Sequence, residues 1–146
     1  MKIIIPPSLH CPHLFVAETP EHGRGVFAAH PIAAGDTIEM CPVLIVPRSQ
    51  RPALDTTTLY DYYFLWDDIQ QDAAIALGYG SLYNHSYQPN AQYVSHVEQR
   101  LLEFIAIGDI AQGEEILVNY NGNSEDETQV WFERKIEKNT NEQQKK

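Results

Sequence analysis

Apolar residues along this chain fall in short runs that glycine and proline interrupt, a pattern typical of a mostly β protein with short connections. The runs predict strands over residues 13–17, 26–29, 36–41, 43–46, 91–94, 101–107 and 115–120. Gly23 and Gly25 form a predicted turn before the second strand, Pro42 separates the third from the fourth, and Gly108 and Gly113 mark a turn between the last two. We therefore expect short antiparallel strand pairs with few helices.

The segment from 59 to 72 follows a different spacing. Its apolar and aromatic side chains recur at near-helical intervals with acidic residues between them, and they are Leu59, Tyr62, Tyr63, Leu65, Trp66 and Ile69. The pattern predicts a short helical insert over about 55–72, after a stretch rich in proline, serine and threonine that is typical of a loop. Beyond residue 122 the chain is polar, which predicts a C-terminal tail over 123–146 with a short helix around Trp131 and Phe132.

The length of 146 residues and the 43% content of hydrophobic residues are those of one globular domain over 1–146, with a core over about 14–122. No apolar run approaches the roughly 18 residues that span a bilayer, and Ile3–Ile5 is too short for the core of a signal peptide. These observations predict an intracellular protein that does not bind membranes. The two cysteines, Cys11 and Cys41, can form neither a disulfide framework nor a zinc site of four thiolates.

The charge is strongly acidic, with 20 Asp and Glu residues against 10 Lys and Arg and a formal net charge of −10. Nucleic-acid binding needs clustered basic side chains, so direct binding to DNA or RNA is not expected. From Pro52 to Gln99 there is no Lys or Arg, whereas acidic residues recur there. Such a surface attracts cations, although acidity that only keeps a small protein soluble is the simpler alternative.

Three segments contain residue types that take part in binding or catalysis. Residues 23–28 (G-R-G-V-F-A) fit the spacing of dinucleotide-binding loops, but Pro31 and Gly35 interrupt the long helix that such a loop requires. A two-glycine turn remains, either a plain hairpin turn or one whose backbone approaches a ligand closely. The other segments are 84–90 (N-H-S-Y-Q-P-N) and 113–120 (G-E-E-I-L-V-N-Y). Taken alone, the first of these two is more typical of a structural His–Asn pair, and the second is uninformative.

Together, in this order and at these separations, the three segments resemble the SET-domain lysine methyltransferases. The resemblance runs from about residue 14 to 131, and residues 61–64 (D-Y-Y-F) and 76–86 (A-L-G-Y-G-S-L-Y-N-H-S) are most similar to the minimal SET proteins of bacteria and large DNA viruses. It implies a SET fold, with several small antiparallel sheets, short helices and a threaded C-terminal segment. It also implies S-adenosylmethionine as the cofactor and a lysine side chain in a basic protein as the methyl acceptor.

The resemblance also assigns roles to individual residues. Tyr120 corresponds to the catalytic tyrosine, and Tyr62 and Tyr93 correspond to walls of the lysine channel. The residues that would hold the cofactor are Arg24, Gly25 and Phe27, largely through their backbone, Asn84 and His85, and Trp131 or Phe132 as the aromatic cover of the adenine. For the last two aromatics, hydrophobic anchoring of the tail is an equally good explanation.

Tyrosines suit such a channel for a physical reason. The lysine nitrogen must be neutral to attack a methyl group, and with a lysine pKa of about 10.4, holding it neutral at pH 7 costs about 4.6 kcal/mol. A narrow apolar channel and a positively charged cofactor both lower that pKa. Aromatic faces attract the ammonium group during docking, and hydroxyl groups orient the neutral amine.

Several positions depart from the family's pattern. Tyr87 stands where many eukaryotic members have a zinc-binding cysteine, so no structural metal is implied. His10, Cys11 and His13 are three potential metal ligands, but in a loose N-terminal segment such a group is more often incidental. Asn119 replaces the aspartate that commonly precedes the catalytic tyrosine.

The width of the lysine channel depends on two further positions. Val118 is not aromatic, whereas several family members have a Phe or Tyr there, and Tyr93 would supply the missing ring. The two positions have opposite effects on the space around the amine. We expect the addition of one or two methyl groups rather than three.

The sequence therefore favours an S-adenosylmethionine-dependent protein-lysine N-methyltransferase. A catalytically silent SET module that binds a lysine-bearing peptide or a partner protein is the main alternative, and methylation of a non-protein amine is a second. Histones, DNA-packaging proteins and ribosomal proteins are the expected substrate classes, and a homodimer is compatible with the sequence. We expect the protein in the cytoplasm, or in the nucleus if the host is eukaryotic or the target is a histone.

Overall fold

Short strands make up most of the regular structure in the computed structural model, which describes residues 13–133. The strands are β1 (Leu14–Thr19), β2 (Gly23–Ala28), β3 (Thr37–Val46), β4 (Tyr63–Trp66), β5 (Asp72–Ala76), β6 (Asn84–His85), β7 (Ala91–His96), β8 (Leu101–Ala106) and β9 (Leu117–Val118). The helical elements are α1 (Arg51–Leu54), 3-10 turns at Arg48–Gln50, Thr58–Asp61 and Gly80–Leu82, and a helical turn over 131–133. The prediction of a mostly β chain with short helices is confirmed.

Three small sheets contain these strands. β1 pairs with β2, and a five-stranded sheet has the order β4-β5-β3-β8-β7, with every neighbouring pair antiparallel. The third sheet is the parallel pair of β6 and β9. Burial alternates along β8, where Leu102, Phe104 and Ala106 are buried and the residues between them are half-buried. This period of two directs one face of the large sheet into the core.

β3 is a single ten-residue strand, so the prediction that Pro42 divides this region into two strands is wrong. The strand changes its partner at this residue. Its first half up to Pro42 pairs with β8, and its second half from Val43 pairs with β5. Proline lacks an N–H donor, and it is tolerated here because it lies where one ladder ends and the next begins.

The predicted helix over 59–72 is also wrong for most of its length. Only Thr58–Asp61 is helical, as a 3-10 turn, and β4 then forms a hairpin with β5. Trp66 is buried and Leu65 is 56% exposed, which is the alternation of a strand. Pairing with β5 therefore overrides the near-helical spacing of the aromatic residues, because it satisfies the backbone of the segment and buries its inner face.

The last predicted strand, over 115–120, is reduced to Leu117–Val118. The threaded path of the C-terminal segment stays a prediction. His10 and Cys11 of the incidental N-terminal group, and the tail beyond residue 133, lie outside the described residues. Within the described part of the chain, no helix is long and apolar enough to cross a membrane.

Gly80 provides a test of the packing behind β6. A Cβ atom at this buried position would lie 2.7 Å from Ala76 Cβ and 2.8 Å from Cys41 Sγ. Gly80→Ala should therefore lower the free energy of unfolding by about 1–3 kcal/mol, measured by urea denaturation. Gly108→Ala is the matched control, because a Cβ atom there meets nothing within 4 Å. Equal denaturation midpoints for the two variants would contradict this packing.

Candidate functional site

The pairing of β6 with β9 brings the second and third sequence motifs together. His85 lies opposite Val118 in this parallel pair, and the Ser86 N–H donates to the Val118 carbonyl at 3.0 Å. Asn90 extends the connection, since its side-chain Oδ1 accepts from the Leu117 N–H at 2.8 Å and its own N–H donates to the Leu117 carbonyl at 3.2 Å. Motifs about thirty residues apart in sequence are thereby adjacent.

Tyr120 lies two residues after β9, and hydrogen bonds fix three of its polar groups. Its N–H donates to His85 Nδ1 at 3.1 Å, and its hydroxyl donates to the Tyr83 carbonyl at 2.7 Å. Its carbonyl accepts from the Tyr93 hydroxyl at 3.2 Å. Burial raises the pKa of Tyr93 to about 12. Burial, and then the nearby phenols and carboxylates, also raises the pKa of Tyr120, so both phenols stay protonated at neutral pH.

His85 is buried and has one unused donor. Because Nδ1 accepts the Tyr120 N–H, the neutral ring carries its hydrogen on Nε2. Nε2 makes no hydrogen bond to any residue in the described range 13–133. Burial lowers the pKa of His85, and this effect outweighs the opposing influence of the Glu133 carboxylate. The site therefore contains a neutral imidazole whose N–H suits an acceptor on a ligand.

The first motif lies against the second through Asn84. The Asn84 side-chain amide donates to the Arg24 carbonyl at 3.0 Å and to Glu115 Oε1 at 2.8 Å. A Cβ atom at Gly25 would overlap Glu115 Oε1 and lie 2.9 Å from Asn84 Nδ2, so a larger residue would displace the ends of these two side chains. Phe27, two residues later, forms an isolated bridge with Glu115. Glycine in the G-R-G motif thus leaves room for side chains of the other two motifs.

A cavity of about 480 Å³ opens beside Tyr120. Aromatic and acidic side chains make up most of its lining, which includes Tyr60, Asp61, Tyr62, Tyr63, Phe64, Asp68, Tyr83, Tyr93, Tyr120 and Trp131. The three tyrosines assigned from the sequence therefore line one cavity. Val118 is fully buried in the core and does not line it, so the sequence argument that this valine widens the channel has no support in the structure.

The two C-terminal aromatic residues both contact the Tyr120 ring but differ in their other partners. Trp131 stacks on Tyr120, with the ring centroids 5.5 Å apart and the planes 18° from parallel, and its Nε1–H donates to Asp61 Oδ1 at 3.1 Å. Phe132 approaches the His85 ring edge-on at 6.1 Å and the Tyr120 ring edge-on at 6.3 Å. Trp131 lines the tyrosine-lined cavity, whereas Phe132 is the one of the two whose ring contacts the imidazole.

Asn119 has a physical role that an aspartate could not fill. Its buried amide donates through Nδ2 to the Asp126 carbonyl at 2.6 Å and accepts the Asn121 N–H through Oδ1 at 3.0 Å. A carboxylate has no hydrogen to donate to that carbonyl. The departure from the aspartate of the family therefore fits the local hydrogen bonding of the segment after Tyr120.

Sequence reasoning assigned no individual role to three residues of this arrangement, although the resemblance placed Asp61 in a segment similar to the insert on the substrate side. Glu115 accepts from Asn84, Asp61 accepts from Trp131, and Tyr87 contacts the segment that carries Trp131. Glu115 and Asp61 lie within motifs that the sequence singles out, but their partners are distant in sequence. In the described range of the chain, no group of three or more His, Cys, Asp or Glu residues could hold a metal ion.

Comparison with known proteins identifies the family to which the chain belongs. The family profile described as the SET domain matches residues 23–121. A histone-lysine N-methyltransferase of Schizosaccharomyces pombe, specific for lysine 37 of histone H3, is 31% identical over 121 residues, which are 82% of this chain and 77% of that protein.

Two solved structures share the fold. A candidate histone methyltransferase of Plasmodium falciparum is 29% identical with a TM-score of 0.62, covering 74% of this chain and 92% of that one. A chain of apo ctPRC2 with mutations in Ezh2 is 22% identical with a TM-score of 0.63, covering 75% of this chain and 15% of that one. The latter match concerns the fold alone.

The neutral state of His85 predicts a pH dependence of stability. Its folded pKa lies below its usual value of 6.5, so the unfolded chain takes up the proton first as the pH falls. The free energy of unfolding should therefore decrease as the pH drops below about 6.5. His85→Asn keeps an acceptor near Nδ1 but cannot titrate, so its stability curve between pH 7.5 and 5 should be flatter. His30→Asn, at an exposed position, is the matched control, and identical slopes in all three proteins would refute the prediction.

Proposed function

Because the chain belongs to the SET-domain family and is a lysine methyltransferase, we propose that it transfers methyl groups from S-adenosylmethionine to lysine in a basic protein segment. One observation carries this proposal. The family's three motifs converge on Tyr120, whose hydroxyl, bonded to the Tyr83 carbonyl, lies beside a cavity lined by Tyr62 and Tyr93. A methyl acceptor and a cofactor would meet at Tyr120, which lines this cavity and bonds His85 through its N–H.

The residues on the His85 side fit the cofactor. The buried Nε2–H of His85 has no acceptor within residues 13–133, and the absence of a side chain at Gly25 leaves the backbone close to Asn84. Arg24, Gly25 and Phe27 on β2, Asn84 and His85 on β6, and Phe132 would hold S-adenosylmethionine. When bound, the cofactor supplies an electrophilic methyl group on a positively charged sulfonium. Trp131 is better placed for the lysine side, because it stacks on Tyr120.

The tyrosine-lined cavity can prepare the lysine amine for the reaction. An exposed ammonium docks against aromatic faces, and removal of water then favours the neutral amine. The raised pKa values of Tyr93 and Tyr120 keep their phenols uncharged, so no phenolate stabilises the ammonium form. The Tyr120 hydroxyl donates its hydrogen to the Tyr83 carbonyl. The lone pairs of the hydroxyl oxygen can therefore accept an N–H of the amine and orient it.

The acidic rim of the cavity favours a basic protein segment over a small amine. Asp61 and Asp68 both line the cavity against one basic residue, Arg51, and no Lys or Arg occurs from Pro52 to Gln99. The relative from Schizosaccharomyces pombe is named for a histone substrate, so a histone-like protein is the proposed target class. The proposed location is the cytoplasm, or the nucleus if the target is a histone. A catalytically silent module is less well supported, because Tyr120, Asn84 and His85 are all present and in contact through one site.

Tyr120→Phe tests the proposed reaction. Loss of the hydroxyl should lower kcat about 100-fold on a basic protein panel with labelled S-adenosylmethionine, because the amine loses its orienting oxygen. Calorimetry should find the cofactor Kd unchanged within about threefold, with and without a chelator. Tyr79→Phe, at a tyrosine packed against the core, is the matched control and should keep wild-type turnover. Wild-type turnover in Tyr120→Phe, or no cofactor binding by the unmodified protein, would refute the proposal.

Salt and charge variants test the substrate class. Asp61→Asn and Asp68→Asn should each raise the KM for a basic peptide about two- to fivefold at low salt, since each removes one charge from the rim. The difference should shrink as salt rises, because exposed charges are screened over about 10 Å at 0.1 M. Asp67→Asn removes the same charge but lies in the neighbouring hairpin turn and lines a different depression, so it serves as the matched control. Equal kinetics on acidic and basic peptides would contradict the electrostatic argument.

A further inference from the structure

The hydroxyl of Tyr87 is a centre of hydrogen bonding for the segment Thr128–Glu133. It donates to Glu133 Oε2 at 2.8 Å and accepts the Val130 N–H at 3.1 Å. The Thr128 carbonyl lies 3.3 Å from the same oxygen. One side chain therefore contacts three residues of this segment. The Tyr87 ring also meets the His85 ring edge-on at 4.4 Å.

Side chains supply much of what holds this segment in place. Residues 126–130 belong to no strand or helix, so no ladder of backbone hydrogen bonds fixes them. Asn121 contributes a second anchor, through a 2.7 Å hydrogen bond from its Nδ2 to the Thr128 carbonyl. Val130 is nevertheless buried at 2% exposure, and its N–H is the one that Tyr87 accepts. A buried N–H without an acceptor is costly, so loss of the Tyr87 hydroxyl should displace this stretch.

The segment carries both C-terminal aromatic residues of the site. Trp131 and Phe132 follow Val130 directly; both contact Tyr120, and Phe132 also contacts His85. Tyr87 lies two residues after His85, so its ring and hydroxyl connect the loop after β6 to the segment that covers the same imidazole.

We propose that Tyr87 is a positioning residue, whose hydroxyl holds Thr128–Glu133 so that Trp131 stays on Tyr120 and Phe132 stays on His85. Only the effect on methyl transfer rests on the proposed function. The effect on the segment itself does not.

Tyr87→Phe keeps the ring and removes the hydroxyl. Two measurements in the absence of substrate report its effect on the segment Thr128–Glu133. Hydrogen exchange of the Val130 amide should become about tenfold faster, because that N–H loses its acceptor. The emission of Trp131, taken as the difference between each protein and its Trp131→Phe counterpart, should shift to longer wavelength as the indole leaves Tyr120. The difference removes the contribution of Trp66, which lies buried in the core.

The kinetic readout separates positioning from a role in the reaction. In Tyr87→Phe, the KM for cofactor and peptide should rise about five- to twentyfold, with kcat at saturation within about threefold of wild type. Thr37→Val is the matched control, because it also removes one side-chain hydrogen bond, between β3 and β8, without touching the segment. It should change neither the emission of Trp131 nor the KM values.

Glu133→Ala provides a second, milder route to the same test. It removes one partner of the Tyr87 hydroxyl and should move the same observables in the same direction, with little further change when combined with Tyr87→Phe. If Tyr87→Phe does not fold, the outcome for Glu133→Ala decides. Unchanged Val130 exchange and Trp131 emission would overturn the proposal, whatever the outcome of the tests of the proposed cofactor and substrate. A lower melting temperature with unchanged KM values would reduce Tyr87 to a structural residue and would equally overturn it.

Discussion

The two-residue parallel pair of β6 and β9 is the contact on which the site depends. It places Asn84 and His85 beside Leu117 and Val118, and Tyr120 follows two residues later. So short a ladder contributes little by itself, and Asn90 extends it by bonding both backbone groups of Leu117. Without this pairing, the Tyr120 N–H would lose His85 Nδ1 and the motif residues would have no reason to be adjacent.

Burial at this junction sets the charge states that a methyl transfer needs. The imidazole of His85 and the phenols of Tyr93 and Tyr120 are all held neutral, because desolvation disfavours their charged forms. The acidic groups lie farther out, where Asp61 and Asp68 line the cavity as exposed side chains. The protein thus combines exposed carboxylates at the cavity with neutral phenol and imidazole groups beside Tyr120. That division fits the docking and deprotonation of lysine in the proposed reaction.

The C-terminal segment shows how aromatic cover can be held by side chains. Tyr87 and Asn121 bond its backbone, and Asp61 bonds the indole of Trp131. Their partners lie 7 to 70 residues away in sequence, so the segment depends on the completed fold rather than on its own propensity. This dependence makes the position of the cover sensitive to single hydroxyl or carboxylate groups.

The amino-acid sequence by itself determined the mostly β character and the family, and it singled out three tyrosines, Tyr62, Tyr93 and Tyr120, that line one cavity. Short apolar runs between glycines and prolines carry the strand signal, and the three motifs combine in an order that one family shares. The near-helical spacing of aromatic residues over 59–72 predicted a helix that the structure does not contain over most of that length. Pairing of β4 with β5 outweighs the local preference of these residues. Periodicity likewise could not reveal that β3 crosses Pro42 by changing partners.

Only the tertiary structure decided the partners of each site residue. Trp131 and Phe132 are neighbours in sequence and both contact Tyr120, yet Trp131 bonds Asp61 whereas Phe132 contacts His85, in a segment that Tyr87 also bonds. Hydrogen bonds between residues distant in the chain leave no periodic trace in the sequence, which records residue types but not their partners.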